Sequence, residues 1–213
     1  MNKLLIIQIC VFLLSSGTLG GMLAYTNVYE EVDSGITSVL CLSCIKLTPV
    51  TQLEFTFDVA KGQDHSAFVL DSLKEGPVFI AYRKDDCLFC DEMEPIIQDI
   101  FSVYFEKEDT FSEIVSFDNS NVTFVHISIE LDNSNAEQRE SRFIYDKDHI
   151  GGVPQFTIIT LGYDHGFIKP YYATIYGTLN LNTDKERKEL LTKIIYDGID
   201  LYNQNLEGYD PNK

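Results

Sequence analysis

The feature that most constrains the fold of this 213-residue chain is an apolar run that leads through a cysteine pair into a helical pattern. The run reads PVFIAY at residues 77–82, which is typical of a central strand buried on both faces. Cys87 and Cys90 follow in a C-x-x-C arrangement. From Met93 to Tyr104, apolar side chains then recur at helical spacing along one stripe. This succession predicts an α/β fold in which a helix packs on a sheet.

Two elements are predicted before the central strand. Residues 53–59 alternate between apolar and polar side chains, which indicates a half-exposed strand. Asp64 is a suitable N-cap for a short helix that ends at Leu73. A polar connection over 106–120 is predicted after the helix that follows the cysteines.

The remainder of the chain alternates between strand and helix patterns. The predicted elements are a strand at 123–129, a helix at 135–147, a strand of about seven residues after Pro154, a hairpin partner at 171–176 beyond a turn at 162–170, and a long helix opened by a Thr183–Glu186 capping box. The order β-α-β-α-β-α-β-β-α predicts a mixed central sheet flanked by helices. It contains a parallel crossover in its middle and an antiparallel pair at its end.

The N-terminus has the pattern of a targeting segment. Lys3 precedes an apolar run at residues 4–14, and small residues follow in SSGTLGG, as in a secretory signal peptide. No charged residue occurs from Leu4 to Tyr29, so an uncleaved membrane anchor is a second interpretation. Both interpretations export the rest of the chain. We expect it to be secreted, periplasmic, on the outer face of the cytoplasmic membrane, or lumenal.

The charge of the chain excludes one class of partner. A net charge of −17 does not provide the basic surface that a phosphate backbone requires, so nucleic-acid binding is not expected. Membrane contact is expected only through an N-terminal anchor. Export also implies an oxidising compartment, in which paired cysteines persist as disulfides.

The position of Cys87 and Cys90 indicates redox chemistry. A thiol at a helix N-terminus is stabilised as thiolate by the helix dipole and the unpaired N–H groups. We therefore expect Cys87 to be the exposed attacking thiol and Cys90, one turn inside the helix, to resolve the mixed disulfide. Arg83 and Lys84 would favour the thiolate, whereas the surrounding acids oppose it; these acids are Asp85, Asp86, Asp91 and Glu92. The alternative is an inert structural disulfide.

Three features in matching register resemble the thioredoxin-fold family. CLFC lies at a strand-to-helix turn, Pro95 follows Cys90 by five residues, and the loop GGVPQF places Pro154 64 residues after Cys90. The helix start, CxxCxxMEP, is similar to that of exported or membrane-tethered members. The chain departs from the family at Asp86, where a tryptophan is usual, and at Ala81, where reductases carry a buried acid.

The resemblance implies an extracytoplasmic thiol–disulfide oxidoreductase. Its catalytic residues would be Cys87 and Cys90, and its partners protein thiols or disulfides and an unidentified redox protein. Pro154 would follow a cis peptide bond and, with Val153, position an extended substrate. Neither a cofactor nor a metal ion is implied. A non-enzymatic thioredoxin-fold module for binding or metal delivery, with a structural cysteine pair, is the alternative. The direction of electron flow stays open.

The targeting pattern and the resemblance together give the domain boundaries. We expect a signal peptide or anchor at 1–20, an extension at 21–52, a thioredoxin-like domain at 53–206 and a tail at 207–213.

The extension carries a second C-x-x-C pair, Cys41 and Cys44. One interpretation is a second dithiol that exchanges electrons with Cys87 and Cys90 or with a partner, and the other is a static disulfide. A four-cysteine zinc site is disfavoured because the distance from Cys44 to Cys87 in the sequence far exceeds the usual spacing of about 15–20 residues.

Overall fold

The computed structural model of the chain describes residues 54–107, 109–130, 135–179 and 181–210. The predicted signal peptide or anchor (1–20) and the extension with Cys41 and Cys44 (21–52) lie outside the described residues.

The described residues form an α/β structure around one mixed sheet. Its five strands are β1 (Val78–Arg83), β2 (Phe111–Phe117), β3 (Ser120–Ser128), β4 (Gln155–Asp164) and β5 (Phe167–Tyr176). They are arranged in the order β2-β3-β1-β4-β5, so β1 is central. Every residue of β1 is buried, as its continuous apolar run predicted.

The pairing of the strands places three side chains side by side near the end of β1. β1 runs parallel to β3, and the other three pairs are antiparallel. Ala81 of β1 is opposite His126 on β3 and opposite Phe156 on β4. The predicted parallel crossover and the antiparallel pair at the end of the chain are therefore confirmed.

Four α-helices flank the sheet in the described part of the chain. They are α1 (Ala67–Ser72), α2 (Leu88–Phe101), α3 (Ala136–Ile144) and α4 (Asp184–Asn205), and short 3-10 turns occur at Ala60–Gly62 and Leu206–Gly208. The predicted capping box of α4 is confirmed, since Thr183 and Glu186 each bind the other's backbone N–H.

Two apolar cores lie on opposite faces of the sheet. On one face, α2 and α4 pack through residues such as Met93 and Ile195 against Phe79 and Phe156. On the other face, Val69 of α1 and Leu73, the residue that follows α1, join alternate residues of β1. Because neighbouring strand residues point to opposite faces, β1 supplies both cores. This fixes α2, and with it the cysteine pair, against the C-terminal end of β1.

Some predicted elements differ from the structure at the edges of the sheet. Of the predicted strand at 53–59, the described residues 54–59 form only a single bridge, between Thr56 and Tyr172. Asp64 does not cap a helix, because α1 begins only after Ser66. The stripe on α2 ends at Phe101, where Ser102 takes a left-handed conformation, so Tyr104 is exposed.

In two other places the structure contains more β-strand than the sequence predicts. The polar connection at 106–120 contains β2, which pairs with β3 along its full length. The predicted turn at 162–170 is shorter, since β4 and β5 extend to a two-residue turn at His165 and Gly166. Both of these residues have positive φ, which suits a tight hairpin. In the described ranges, no helix combines the length and the apolar character that a membrane span requires.

Candidate active site at the Cys87–Cys90 disulfide

Cys87 and Cys90 form a disulfide at the start of α2. Their Cα atoms are 5.2 Å apart. Cys87 is the N-cap of α2, and its sulfur accepts a hydrogen bond from the backbone N–H of Cys90 at 3.1 Å. An N–H group and the positive end of the helix dipole therefore point at this sulfur, and both favour the thiolate when the disulfide is reduced.

Both cysteine residues are buried in the disulfide form. Cys87 is only 6% exposed and Cys90 only 1%, so the prediction of an exposed Cys87 is wrong for the disulfide form. The reason is that Cys87 is bonded to a cysteine one turn inside the helix, against the sheet. The two residues between them point outward instead, since Leu88 is 79% and Phe89 56% exposed.

Pro154 follows a cis peptide bond, as predicted. The sheet begins one residue later at Gln155, so Val153 precedes the paired part of β4. The carbonyl of Pro154 accepts a hydrogen bond from Gly177 N–H at 2.9 Å. Gly177 has a φ of 63°, a left-handed conformation that suits glycine. Pro154 lines a small cavity together with Cys90, which places the loop against the disulfide.

One buried carboxylate organises the loop that leads to Pro154. Asp146 accepts hydrogen bonds from the backbone N–H groups of Ile150 and Gly151 at 2.9 and 2.8 Å. It also accepts one from the Tyr176 hydroxyl at 2.6 Å. Burial raises the pKa of the Tyr176 phenol well above its ordinary value, so the hydroxyl stays a donor at neutral pH.

The charges around the cysteines are arranged differently from the expectation. Arg83 does not face Cys87 as an unpaired cation, because it is buried and forms ion pairs with Glu94 and Asp91. Its guanidinium also donates to the backbone carbonyls of Lys84 and Asp85. Lys84 is exposed. Of the two cations expected to favour the thiolate, the buried one, Arg83, is therefore already paired with carboxylates.

His126 is the second ionisable group buried near Cys90. Its Nδ1 donates to the carbonyl of Asp109 at 2.6 Å, and its ring packs on Phe105. Burial lowers the pKa of His126 to about 4, so the imidazole is neutral at pH 7. Because Nδ1 carries the proton, Nε2 presents a lone pair. That nitrogen is buried and meets no hydrogen-bond partner within the described residues.

Two buried residues beside the cysteines, Glu94 and His126, were not among the predicted site residues. A signal for Glu94 existed, since a residue four positions after Cys90 lies on the same face of a helix. No comparable signal existed for His126, whose neighbours depend on the pairing of β3 with β1.

Val153 and the second cysteine pair are the remaining predicted site residues. Val153 is half-buried and packs at the edge of the core that contains α1. Cys41 and Cys44 lie outside the described residues, so the second dithiol stays a prediction. Among the residues that the structure describes, no group of three or more His, Cys, Asp or Glu side chains is arranged to hold a metal ion.

Comparisons of the chain with models of protein families, with curated proteins and with solved structures find no match.

Proposed function

We propose that this protein is a thioredoxin-fold thiol–disulfide oxidoreductase that exchanges disulfides with protein substrates through Cys87 and Cys90. The observation that carries the proposal is the position of the disulfide: Cys87 caps α2, and Cys90 lines one cavity with the cis-proline Pro154. A redox-active cysteine needs a stabilised thiolate and an approach for the substrate chain. The helix N-terminus supplies the first and the loop before β4 the second.

The architecture supports the thioredoxin-fold assignment. β1 is central and leads directly into the C-x-x-C turn and α2. β3 lies parallel on one side of β1, and the β4–β5 hairpin follows on the other side, entered through Pro154. Two of the features that carried the resemblance in the sequence, the C-x-x-C turn and the loop with Pro154, thus adjoin the neighbouring strands β1 and β4.

The reaction begins from the reduced pair. The Cys87 thiolate attacks a substrate disulfide, a bond forms between Cys87 and one substrate sulfur, and the other substrate sulfur leaves as a thiolate that takes a proton from water. Cys90 then attacks Cys87, which re-forms the Cys87–Cys90 disulfide and releases the second substrate sulfur. The Cys90 N–H, 3.1 Å from the Cys87 sulfur, favours Cys87 both as the attacking thiolate and as the first sulfur to leave when the disulfide opens.

A protein substrate is favoured by the surface around the disulfide. Leu88 and Phe89 project beside Cys87, and Ile150, in the loop before Pro154, is also largely exposed. Exposed apolar side chains of this size next to a buried reactive sulfur are suited to hold a substrate segment. Val153, which lies outside the paired strand, is the residue whose backbone would bind an extended segment.

An extracytoplasmic location is part of the proposal. Residues 1–20 would either anchor the chain in the membrane or be cleaved as a signal peptide. The location rests on the apolar N-terminal segment alone.

Reduction of insulin disulfides by the full-length protein tests the proposal. With dithiothreitol as the electron donor, the wild-type protein should accelerate insulin reduction, and Cys87→Ser should abolish the acceleration. Cys90→Ser should allow one attack per molecule and accumulate a mixed disulfide on Cys87, detected by mass spectrometry. The proposal fails if the wild-type protein does not accelerate reduction, or if Cys87→Ser and Cys90→Ser both trap substrate equally.

A further inference from the structure

A row of polar side chains, the polar seam, crosses one face of the β4–β5 hairpin at its end near the disulfide. The seam is made of two cross-strand pairs, Gln155–Tyr176 and Thr157–Thr174. Side chains of paired residues, and of residues two apart on a strand, point to the same face of a sheet. The Thr157 and Thr174 hydroxyls lie 3.0 Å apart. Gln155 and Thr157 are buried, although this face of both strands continues as an apolar core. Buried polar groups need partners, so the seam has to bind another part of the chain.

One partner of the seam is the C-terminal end of α3. The side-chain amide of Gln155 donates to the carbonyl of Arg142 at 3.0 Å, and the Thr174 hydroxyl donates to the carbonyl of Tyr145 at 2.8 Å. Arg142 lies in the last turn of α3, and Tyr145 is its C-cap. The last carbonyls of a helix have no partner within the helix, so the seam supplies donors where α3 needs them.

Tyr176 extends the seam to the loop 147–153. Its hydroxyl donates to the Asp146 carboxylate at 2.6 Å, and Asp146 in turn accepts from two backbone N–H groups within the loop. The residue after Tyr176, Gly177, donates its N–H to the carbonyl of Pro154 at 2.9 Å. The end of β5 therefore binds the chain on both sides of this loop, at Asp146 before it and at Pro154 after it.

The conformation of the loop depends on these attachments. Residues 147–151 are exposed, so little packing holds them. His149 has a φ of 55°, a left-handed conformation that costs free energy for a residue other than glycine. The backbone N–H and C=O of Val153 form no hydrogen bond with the described part of the chain, so they are open to a substrate segment. A satisfied buried network specifies one arrangement of the groups that it binds, so the seam can fix the direction in which the Val153 backbone faces.

We propose that Tyr176 is a positioning residue for protein substrates. Through Asp146 it holds the loop so that the Val153 backbone meets an extended substrate segment beside the disulfide. The inference rests on the proposed function and adds a residue that lies neither in the cysteine pair nor in the loop. A small disulfide has no extended segment for Val153 to bind, so attack on it by Cys87 does not require the seam.

Insulin reduction by the full-length protein tests this role in Tyr176→Phe, which removes the hydroxyl and keeps the ring. With saturating dithiothreitol, the KM for insulin should rise by about threefold to tenfold, the range that one hydrogen bond accounts for. The kcat should change by less than about twofold, because the substitution weakens binding and leaves the reacting sulfurs as they are.

Attack on a small disulfide shows whether the reactivity of Cys87 itself has changed. The reduced full-length protein, with Cys10→Ser, Cys41→Ser and Cys44→Ser, is mixed with Ellman's reagent in a stopped-flow instrument. The first thionitrobenzoate released reports attack by Cys87. Its rate in Tyr176→Phe should stay within about twofold of the rate without that substitution.

The matched control is Tyr172→Phe, on the same strand and the same face of the sheet. The Tyr172 hydroxyl also donates a hydrogen bond of 2.6 Å, but to the carbonyl of Asp58 in the segment before α1. Its removal therefore leaves the loop attached, and the KM for insulin should equal that of the wild type.

Thr174 provides a second test, which holds even if Tyr176→Phe is poorly folded. Thr174→Val removes the donor to the Tyr145 carbonyl and should also raise the KM for insulin. Thr174→Ser keeps the hydroxyl and should retain the wild-type KM.

An unchanged KM in Tyr176→Phe or in Thr174→Val, an equal rise in Tyr172→Phe, or equally slowed attack on Ellman's reagent would each overturn the positioning role. These outcomes differ from failure of the proposed function. In that case the wild-type protein itself would not accelerate insulin reduction.

Discussion

Replacing Asp146 with alanine tests how firmly one carboxylate holds the loop in front of Pro154. This carboxylate is 4% exposed and accepts three hydrogen bonds, from two backbone N–H groups and from the Tyr176 hydroxyl. A hydrogen bond to a charged acceptor contributes about 1.5–3 kcal/mol. The desolvation of the carboxylate itself offsets part of that total. We therefore expect Asp146→Ala to lower the free energy of unfolding by about 3 kcal/mol.

The assay is urea unfolding of the full-length protein. Because the chain has no tryptophan, far-ultraviolet circular dichroism is the appropriate signal. Asp146→Asn retains an acceptor oxygen and should lose roughly half as much as alanine. The matched control is Asp148→Ala, two residues away and exposed, which should change stability by no more than about 0.5 kcal/mol.

Hydrogen exchange measures the local effect of Asp146→Ala on the loop. The amides of Ile150 and Gly151 should lose protection in Asp146→Ala before the amides of β4 do, because their acceptor has been removed. A loss of stability below about 1 kcal/mol, or unchanged protection of both amides, would refute the conclusion that Asp146 organises this loop.

The remaining predictions concern a buried histidine and the second cysteine pair. The folded-state pKa of His126 is about 4 against 6.5 ordinarily, so the unfolded chain binds the extra proton between these values. The associated stability, about 3 kcal/mol, is present above pH 6.5 and is lost as the pH falls to 4. Urea unfolding at several pH values measures how the free energy of unfolding changes with pH. This dependence between pH 4 and 6.5 should be weaker in His126→Gln and unchanged in the exposed control His149→Asn. The same dependence in His126→Gln as in the wild type would contradict the prediction. The double substitution Cys41→Ser and Cys44→Ser should leave insulin reduction with dithiothreitol nearly intact. If the double variant does not fold, or if the wild-type protein carries zinc that the double variant lacks, the pair is structural.

The central part of the fold could be predicted because its signals are local. The continuous apolar run of β1 requires burial on both faces, and the Thr183–Glu186 capping box fixes the start of α4. The cis peptide before Pro154 was predicted only from the resemblance to the thioredoxin family. The spacing of residues in the sequence does not indicate whether a peptide bond is cis.

The edges of the sheet could not be predicted because tertiary pairing decides them. β2 has only one buried residue, Val115, so its side chains carry no clear period. It becomes a strand because the adjacent β3 offers unpaired backbone groups. Residues 54–59 show the opposite case, since their alternating pattern forms only one β-bridge in the described part of the chain, from Thr56 to Tyr172.

The burial of the charged residues near Cys90 could not be predicted either, because it also depends on tertiary packing. Charged residues are normally assigned to the surface, and Arg83 ends an apolar strand while Glu94 precedes a proline within a helix. Their burial becomes acceptable only when each satisfies the other, which depends on the packing of α2 on β1.

The reduction potential of the Cys87–Cys90 couple tests the central claim most directly. It is measured by equilibrating the full-length protein in glutathione or dithiothreitol buffers of known ratio and counting the reduced cysteines by alkylation and mass spectrometry. A pair that exchanges disulfides with substrates should have a potential between about −270 and −120 mV. A potential below about −300 mV would make the pair a structural disulfide and would contradict the proposed function.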